Sequence, residues 1–102
     1  MTGLVDIHAH LLPGIDDGPG SIAESVEMAR AAVASGTEIL ATTPHLRSDF
    51  PDVHVSELAD QCARMTGALE EAGVQLQLVS AAEVSLGWAL EAADEELRLA
   101  SY

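Results

Sequence analysis

The stretch Asp6-Ile7-His8-Ala9-His10-Leu11-Leu12-Pro13-Gly14-Ile15-Asp16-Asp17-Gly18 decides how the rest of the chain is read. It sets two imidazoles and three carboxylates in thirteen positions directly behind a short apolar run. With Leu4 to His8 as a strand, side chains two apart point to the same face, so His8 and His10 can address one ion together. An isolated His-x-His is weak, because four histidines in 102 residues produce the pattern by accident often enough. Its position adds weight: the pair ends a strand and opens a loop with Gly14, Gly18 and Gly20, where the backbone can bend sharply and return Asp16 or Asp17 to the same ion.

Downstream, strand and helix signals alternate. Ser21-Ile22-Ala23-Glu24 is a capping box, with Ser21 as N-cap and Glu24 reaching back, and Ile22, Val26, Ala29 and Val33 follow on one helical stripe closed by Gly36. Thr37 to Thr43 is a β-branched and apolar run that reads as a buried strand ending at Pro44, followed by a loop to about Asp52. A second helix begins near Ser56, with Leu58, Cys62, Met65, Leu69 and Ala72 on its apolar face and Gly73 at its end. Val74 to Val84 reads as a third strand. Residues 86–99 read as helical, with Trp88 and Leu90 covering apolar surface and Asp94 to Arg98 exposed.

Connections long enough for helices, and no hairpin signal, imply parallel strands with crossovers and so an α/β fold in one domain over residues 1–102. The candidate ligands then obey a rule. His10 follows the first strand, His45 follows the second, and Glu83 lies at the end of the third, the end at which (β/α) barrels build their sites. A carboxylate in Ser80-Ala-Ala-Glu83-Val, at an apolar strand end, calls for a partner or an ion. His54 has no such setting and reads as an ordinary loop histidine.

Composition limits the function classes. Apolar residues make up 48% and charged residues 21%, an ordinary globular balance, and no stretch approaches the ~18 apolar residues of a membrane span. The start of the chain lacks the basic-then-apolar pattern of a signal peptide, and with the single cysteine, Cys62, this points to the reducing cytoplasm. Seventeen acidic residues against four arginines give a formal charge of −13, which disfavours nucleic acid and anionic membranes as partners. The same field repels a phosphorylated substrate unless bound cations reverse it locally.

Asp6-Ile-His-Ala-His-Leu-Leu-Pro-Gly-Ile-Asp-Asp-Gly18, then Ala41-Thr-Thr-Pro-His45, then Glu83, resembles the polymerase and histidinol phosphatase (PHP) family. More narrowly it resembles the bacterial manganese-dependent protein tyrosine phosphatases linked to capsular and extracellular polysaccharide synthesis. Leu12-Pro-Gly-Ile-Asp-Asp-Gly18 is the most specific part of that match.

The resemblance implies a distorted (β/α) barrel with a three-metal site, usually described with manganese, that hydrolyses phosphotyrosine, often on the tyrosine kinase controlling polymer synthesis. By position it implies His8 and His10 on the first metal, Glu83 bridging the first and second, and Asp17 with His45 on the third. Asp16, adjacent to Asp17, stays open as the alternative. Further ligands, histidines and an Asp-x-His, come in that family from a second half of the barrel. The 102 residues therefore read as the N-terminal portion, about three βα units, with an exposed edge where a fourth strand would pair and a route there to self-association.

Mixed imidazole and carboxylate donors suit Mn2+, Fe2+, Co2+ or Zn2+ better than magnesium. In such a site water attacks phosphorus in line while the cations offset charge on the non-bridging oxygens, and a phenol of pKa about 10 makes modest demands on a general acid. Arg47, two positions past His45, is the candidate phosphate contact, against the plainer reading of a surface arginine. A thiolate phosphatase needs an Arg closing a phosphate loop after its Cys, and the position after Cys62-Ala-Arg-Met-Thr-Gly is Ala68. Cys62 thus reads as a small core residue. The other readings are a barrel hydrolase of amidohydrolase or deoxyribonuclease type, and a non-catalytic fragment that binds metal or a partner.

Overall fold

The computed structural model describes residues 3–102. Strand β1, Leu4–Ala9, pairs in parallel with β2, Thr37–Thr42, which pairs in parallel with β4, Gln77–Ser80, giving the sheet order β1-β2-β4. The crossovers are helices α1, Ile22–Ala34, and α2, Leu58–Glu71, the latter entered through a 3₁₀ turn at Val55–Glu57. Both helices end where the sequence places a glycine: Gly36 and Gly73 hold φ of 98° and 73°, a conformation that other residues avoid.

The second strand does not simply run out into a loop. Pro44 has no N–H to donate and biases the residue before it away from regular continuation, so the ladder breaks at Thr43-Pro44 and resumes one step later as β3, His45–Leu46. The neighbouring strand breaks at the same level. The expected strand over Val74 to Val84 is therefore two, β4 and then β5, Glu83–Val84, with Ala81-Ala82 between them and residues 74–76 outside the ladder. β3 and β5 form their own parallel pair, with His45 in register with Glu83. The backbone bonds Ala81 N–H to Thr42 O, 3.0 Å, and Glu83 N–H to Pro44 O, 2.9 Å, carry the pairing across the break.

Expectations for the helices need correction as well. Ser21 caps α1 as expected, accepting the Glu24 N–H at 3.2 Å, but Glu24 reaches one residue further back, to the Gly20 N–H. The buried stripe of α1 runs through Ser25 and Ala29 rather than through Ile22, which is exposed. The Ser25 hydroxyl, wholly buried, donates to Leu11 O at 2.7 Å, so a polar residue on the buried face pins the loop that follows β1. Residues 86–99 form two short helices, α3 (Leu86–Glu91) and α4 (Asp94–Leu99). Ala92 and Ala93 are extended between them, and Glu96 accepts the Ala93 N–H to start the second. Trp88 packs on the core, whereas Leu90 is exposed.

The core lies between sheet and helices, with Leu11, Leu12, Leu40, Leu46, Leu58, Met65 and Leu69 at its centre. Cys62 is buried on the α2 face as predicted, and burial pushes its thiol above its ordinary pKa. β1 is different: Leu4, Val5 and Ile7 are 50–63% exposed on this outer strand of the sheet. Among the described residues, no helix is long and apolar enough to cross a membrane.

Candidate metal centre

The candidate ligands gather at one end of the sheet, His45 and Glu83 on the strands that resume after the breaks, His8 and His10 at the end of β1, and Asp17 on the loop that follows it. Thr43 organises it. Its N–H donates to Ala9 O at 2.8 Å, and its buried hydroxyl accepts from Ala9 N–H at 3.0 Å, tying the end of β1 to the break in β2. His10, one residue beyond Ala9, is thereby held beside His45, two residues beyond Thr43; their ring centroids are 4.3 Å apart and edge-on. The His8 ring lies 5.3 Å from that of His10.

Glu83 faces all three imidazoles. Its Oε1 is 2.8 Å from His10 Nε2 and 3.1 Å from His8 Nε2, and its Oε2 is 3.5 Å from His45 Nδ1. Asp17 comes from the opposite side, with Oδ1 3.1 Å from His10 Nδ1 and 3.3 Å from His45 Nε2. Asp16 is used otherwise. One of its oxygens accepts the Gly18 N–H and the other the His45 N–H, each at 3.0 Å, so its carboxylate joins the glycine loop to β3. Of the two adjacent aspartates, Asp17 alone faces the imidazoles. Gly18 permits this packing, since a Cβ there would sit 2.7 Å from His10 O.

Phe50, which sequence reasoning passed over, stacks on His45 with centroids 4.7 Å apart and planes within 9°. No periodicity marks it; Ser48-Asp-Phe-Pro51 reads as loop, and only the fold brings the ring back. Arg47 forms a two-point pair with Asp49, at 3.0 and 2.9 Å, and its guanidinium lies 5.7 Å from the Phe50 centroid. His54, exposed, precedes the 3₁₀ turn and stands apart from the cluster.

The electrostatics follow from this packing. Partial burial works to lower the His10 pKa, but the hydrogen bonds to Glu83 and Asp17, with the charges of Asp16 and Glu83, outweigh it and raise the value above the ordinary one. Loss of hydration works to raise Asp17 and Glu83, yet the His10 hydrogen bond and the charges of the surrounding imidazoles hold both below the usual carboxylate range.

These residues fit a divalent metal. His8, His10 and Glu83 offer three donor atoms within 4.8 Å of one another, and so do His10, Asp17 and His45. His45 Nδ1 is buried with no hydrogen-bond partner, a costly state for a ring nitrogen unless something else occupies it. The two groups share His10, whose neutral ring offers one lone pair, so they are overlapping candidate positions for a divalent cation.

A mixed α/β unit with such a cluster at its strand ends is a scaffold that can hold metal at one end of its sheet, and comparison with known proteins narrows it. Residues 4–99 match the family model described as capsular polysaccharide synthesis, CpsB/CapC. The chain belongs to the CpsB/CapC family. It is 46% identical over 61 residues, 57% of its length, to the tyrosine-protein phosphatase YwqE of Bacillus subtilis. It is 44% identical over 48 residues, 46% of its length, to CapC of Staphylococcus aureus, which also carries a tyrosine-protein phosphatase name. Among solved structures it matches a chain from the crystal structures of YwqE and of CpsB from Streptococcus pneumoniae, described as metal-dependent tyrosine phosphatases. That match has a TM-score of 0.74 and 31% identity, and covers 81% of this chain and 34% of that one. The matches span 24% and 19% of YwqE and CapC, so the chain corresponds to only part of these relatives.

Proposed function

We propose that this chain is the N-terminal portion, about three βα units in one partial domain, of a distorted PHP-type barrel whose activity is metal-dependent hydrolysis of phosphotyrosine on proteins. The observation that carries the reading is Glu83 set against three imidazoles, with Asp17 completing the cluster from the other side. The family and its tyrosine phosphatase relatives support the substrate class.

In this reading His8, His10, Asp17, His45 and Glu83 hold the ions, and manganese suits their mixed nitrogen and oxygen donors, with Fe2+, Co2+ and Zn2+ as chemical alternatives. The bound cations supply an activated water and neutralise the phosphate charge that a chain of formal charge −13 otherwise repels. The residues of the chain orient and hold. Phe50 fixes the His45 ring, Thr43 fixes the spacing of His10 and His45, and Asp16 anchors the loop that presents Asp17. Arg47, held beside Phe50 by Asp49 through Nε and Nη2, has Nη1 left to donate to a phosphate oxygen. The substrate is a phosphotyrosine protein, in one form the cytoplasmic tyrosine kinase that controls polymer synthesis. The open sheet edges give the chain a route to association with a second copy.

The test is metal content per folded chain after purification with manganese, together with hydrolysis of a phosphotyrosine peptide, repeated for His8→Ala and Glu83→Ala. Bound metal with turnover that both substitutions abolish supports the reading. Negligible metal and no turnover overturn it for this chain, and turnover of a cyclic amide or DNA in place of the peptide overturns the substrate class.

A further inference from the structure

The only phenylalanine and the only tryptophan of the chain, two of its three aromatic residues other than histidine, line one cleft. Its volume is about 450 Å³, within the range of ligand-binding pockets. The cleft begins where the two short strands that carry His45 and Glu83 end. Leu46 and Arg47 continue from β3, Ser85 continues from β5, and Trp88 and Glu91 come from α3. Ser85 caps that helix by accepting the Trp88 N–H at 3.2 Å, which fixes the backbone that bears the indole.

Phe50 is the wall common to this cleft and the metal centre. It stacks on His45 and also lines the cleft, so the two sites adjoin through this ring. None of His8, His10, Asp17, His45 and Glu83 lines the cleft, which sets its occupant apart from the ring whose phosphate would meet the ions. Accepting the phosphotyrosine reading above, we infer that the Phe50–Trp88 cleft is a specificity pocket that takes an aromatic or large apolar side chain flanking the phosphotyrosine of the peptide substrate. The chemistry matches: two aromatic walls and Leu46 supply apolar surface, and the Arg47 guanidinium beside the Phe50 ring can also cover a bound ring. Continuity with the metal centre through β3, β5 and Phe50 makes the flanking residue of the same peptide the occupant.

The single tryptophan makes the test direct, because its emission reports this cleft alone. The full chain, with manganese present, is titrated with two peptides that carry a non-hydrolysable phosphonate analogue of phosphotyrosine, flanked either by phenylalanine or by glycine. The expected result is about tenfold tighter binding of the Phe-flanked peptide, with a change in Trp88 emission that the Gly-flanked peptide does not produce. Trp88→Leu should remove the preference while leaving the Gly-flanked affinity in place. Since Trp88 also packs on the core, Gly87→Leu provides a second variant. A Cβ at Gly87 meets no atom within 4 Å, so the leucine side chain starts from open space at the wall of the cleft.

Equal affinity for the two peptides, or a preference that survives Gly87→Leu, overturns the pocket. Replacing the phosphonate by plain tyrosine separates this from the parent reading. If tyrosine binds as well as phosphonate while the flank preference persists, the phosphotyrosine reading fails and the pocket stands. If neither peptide binds, both fall.

Discussion

His10 Nε2 and Glu83 Oε1 lie 2.8 Å apart although 73 positions separate the residues in sequence. The contact joins the residue just beyond β1 to the first residue of β5, and it links proton binding on His10 to metal binding. Without metal, Glu83 and Asp17 favour the protonated form of His10, and a metal ion on the same nitrogen competes with that proton.

The metal-free chain should therefore show a definite pH dependence. His10 is raised in the fold, so its contribution to stability is complete below the unfolded value of about 6.5 and disappears as pH rises through the folded value. Glu83 and Asp17 are lowered, so their contribution is complete above the unfolded value of about 4 and disappears as pH falls through their folded values. Their window of mutual support is mildly acidic. Thermal unfolding in chelator should give a higher midpoint near pH 5.5 than near pH 8, and Glu83→Gln should remove much of that difference. Metal affinity should move oppositely, strengthening as pH rises through the His10 value; affinity independent of pH between those limits would contradict the coupling.

The adjacent aspartates should separate cleanly. Asp16 accepts two backbone N–H groups, from Gly18 and His45, so Asp16→Ala leaves both without their acceptor and should cost about 2 kcal/mol of stability. Asp17 is exposed and meets only imidazoles, so Asp17→Asn should lower denaturant midpoints less than Asp16→Ala does while weakening metal binding at least tenfold. Urea unfolding and metal titration on the two variants check this. The reverse assignment would show the loss of affinity confined to Asp16→Asn.

Much of this arrangement is legible in the sequence. The helical stripe of α2, the closing glycines and the parallel crossovers follow from periodicity and from φ preference, and the ligand candidates were found because they sit at strand ends. What stayed hidden depends on contacts between distant segments. Thr43 looks like one more β-branched strand residue, Ser25 like a helix surface residue and Phe50 like a loop residue, and each acquires its role only from a partner on another element. The paired breaks that divide Val74 to Val84 are of the same kind: Pro44 breaks its own strand visibly, but its effect on the neighbour is a property of the sheet.

Gly18→Ala should damage the centre more than the fold. The added methyl would meet His10 O at 2.7 Å, so the loop has to move outward and take Asp17 with it. Overpacking of this sort costs about 1–3 kcal/mol. The chain should still unfold cooperatively, with a lowered midpoint and with metal affinity reduced further than the midpoint suggests. Unchanged metal binding would mean that the loop has another way to place Asp17.

Cys62 should take no part in turnover. Burial raises its pKa, so the thiol stays protonated at neutral pH and is shielded on the α2 face. Iodoacetamide should label it only in denaturant, and Cys62→Ala should retain hydrolysis in any preparation where the parent chain shows it. Inactivation of folded chain by alkylation at Cys62 would reopen the cysteine route.

The sheet edges lead to the last expectation. The sequence pointed to an open edge where a fourth strand would pair, but the more apolar outer strand is the first. Leu4, Val5 and Ile7 are 50%, 57% and 63% exposed on β1, and Leu4–Ala9 carries none of the lysines or prolines that discourage edge pairing. One β1 acceptor is engaged, since the Tyr102 hydroxyl donates to Ile7 O. Sedimentation should therefore show association that grows with concentration, and Ile7→Lys should weaken it by about tenfold or more by removing apolar area and adding an edge charge. Tyr102→Phe should act in the opposite sense by freeing that carbonyl. A monomer at every concentration, indifferent to both substitutions, would mean that β1 does not pair with a second copy.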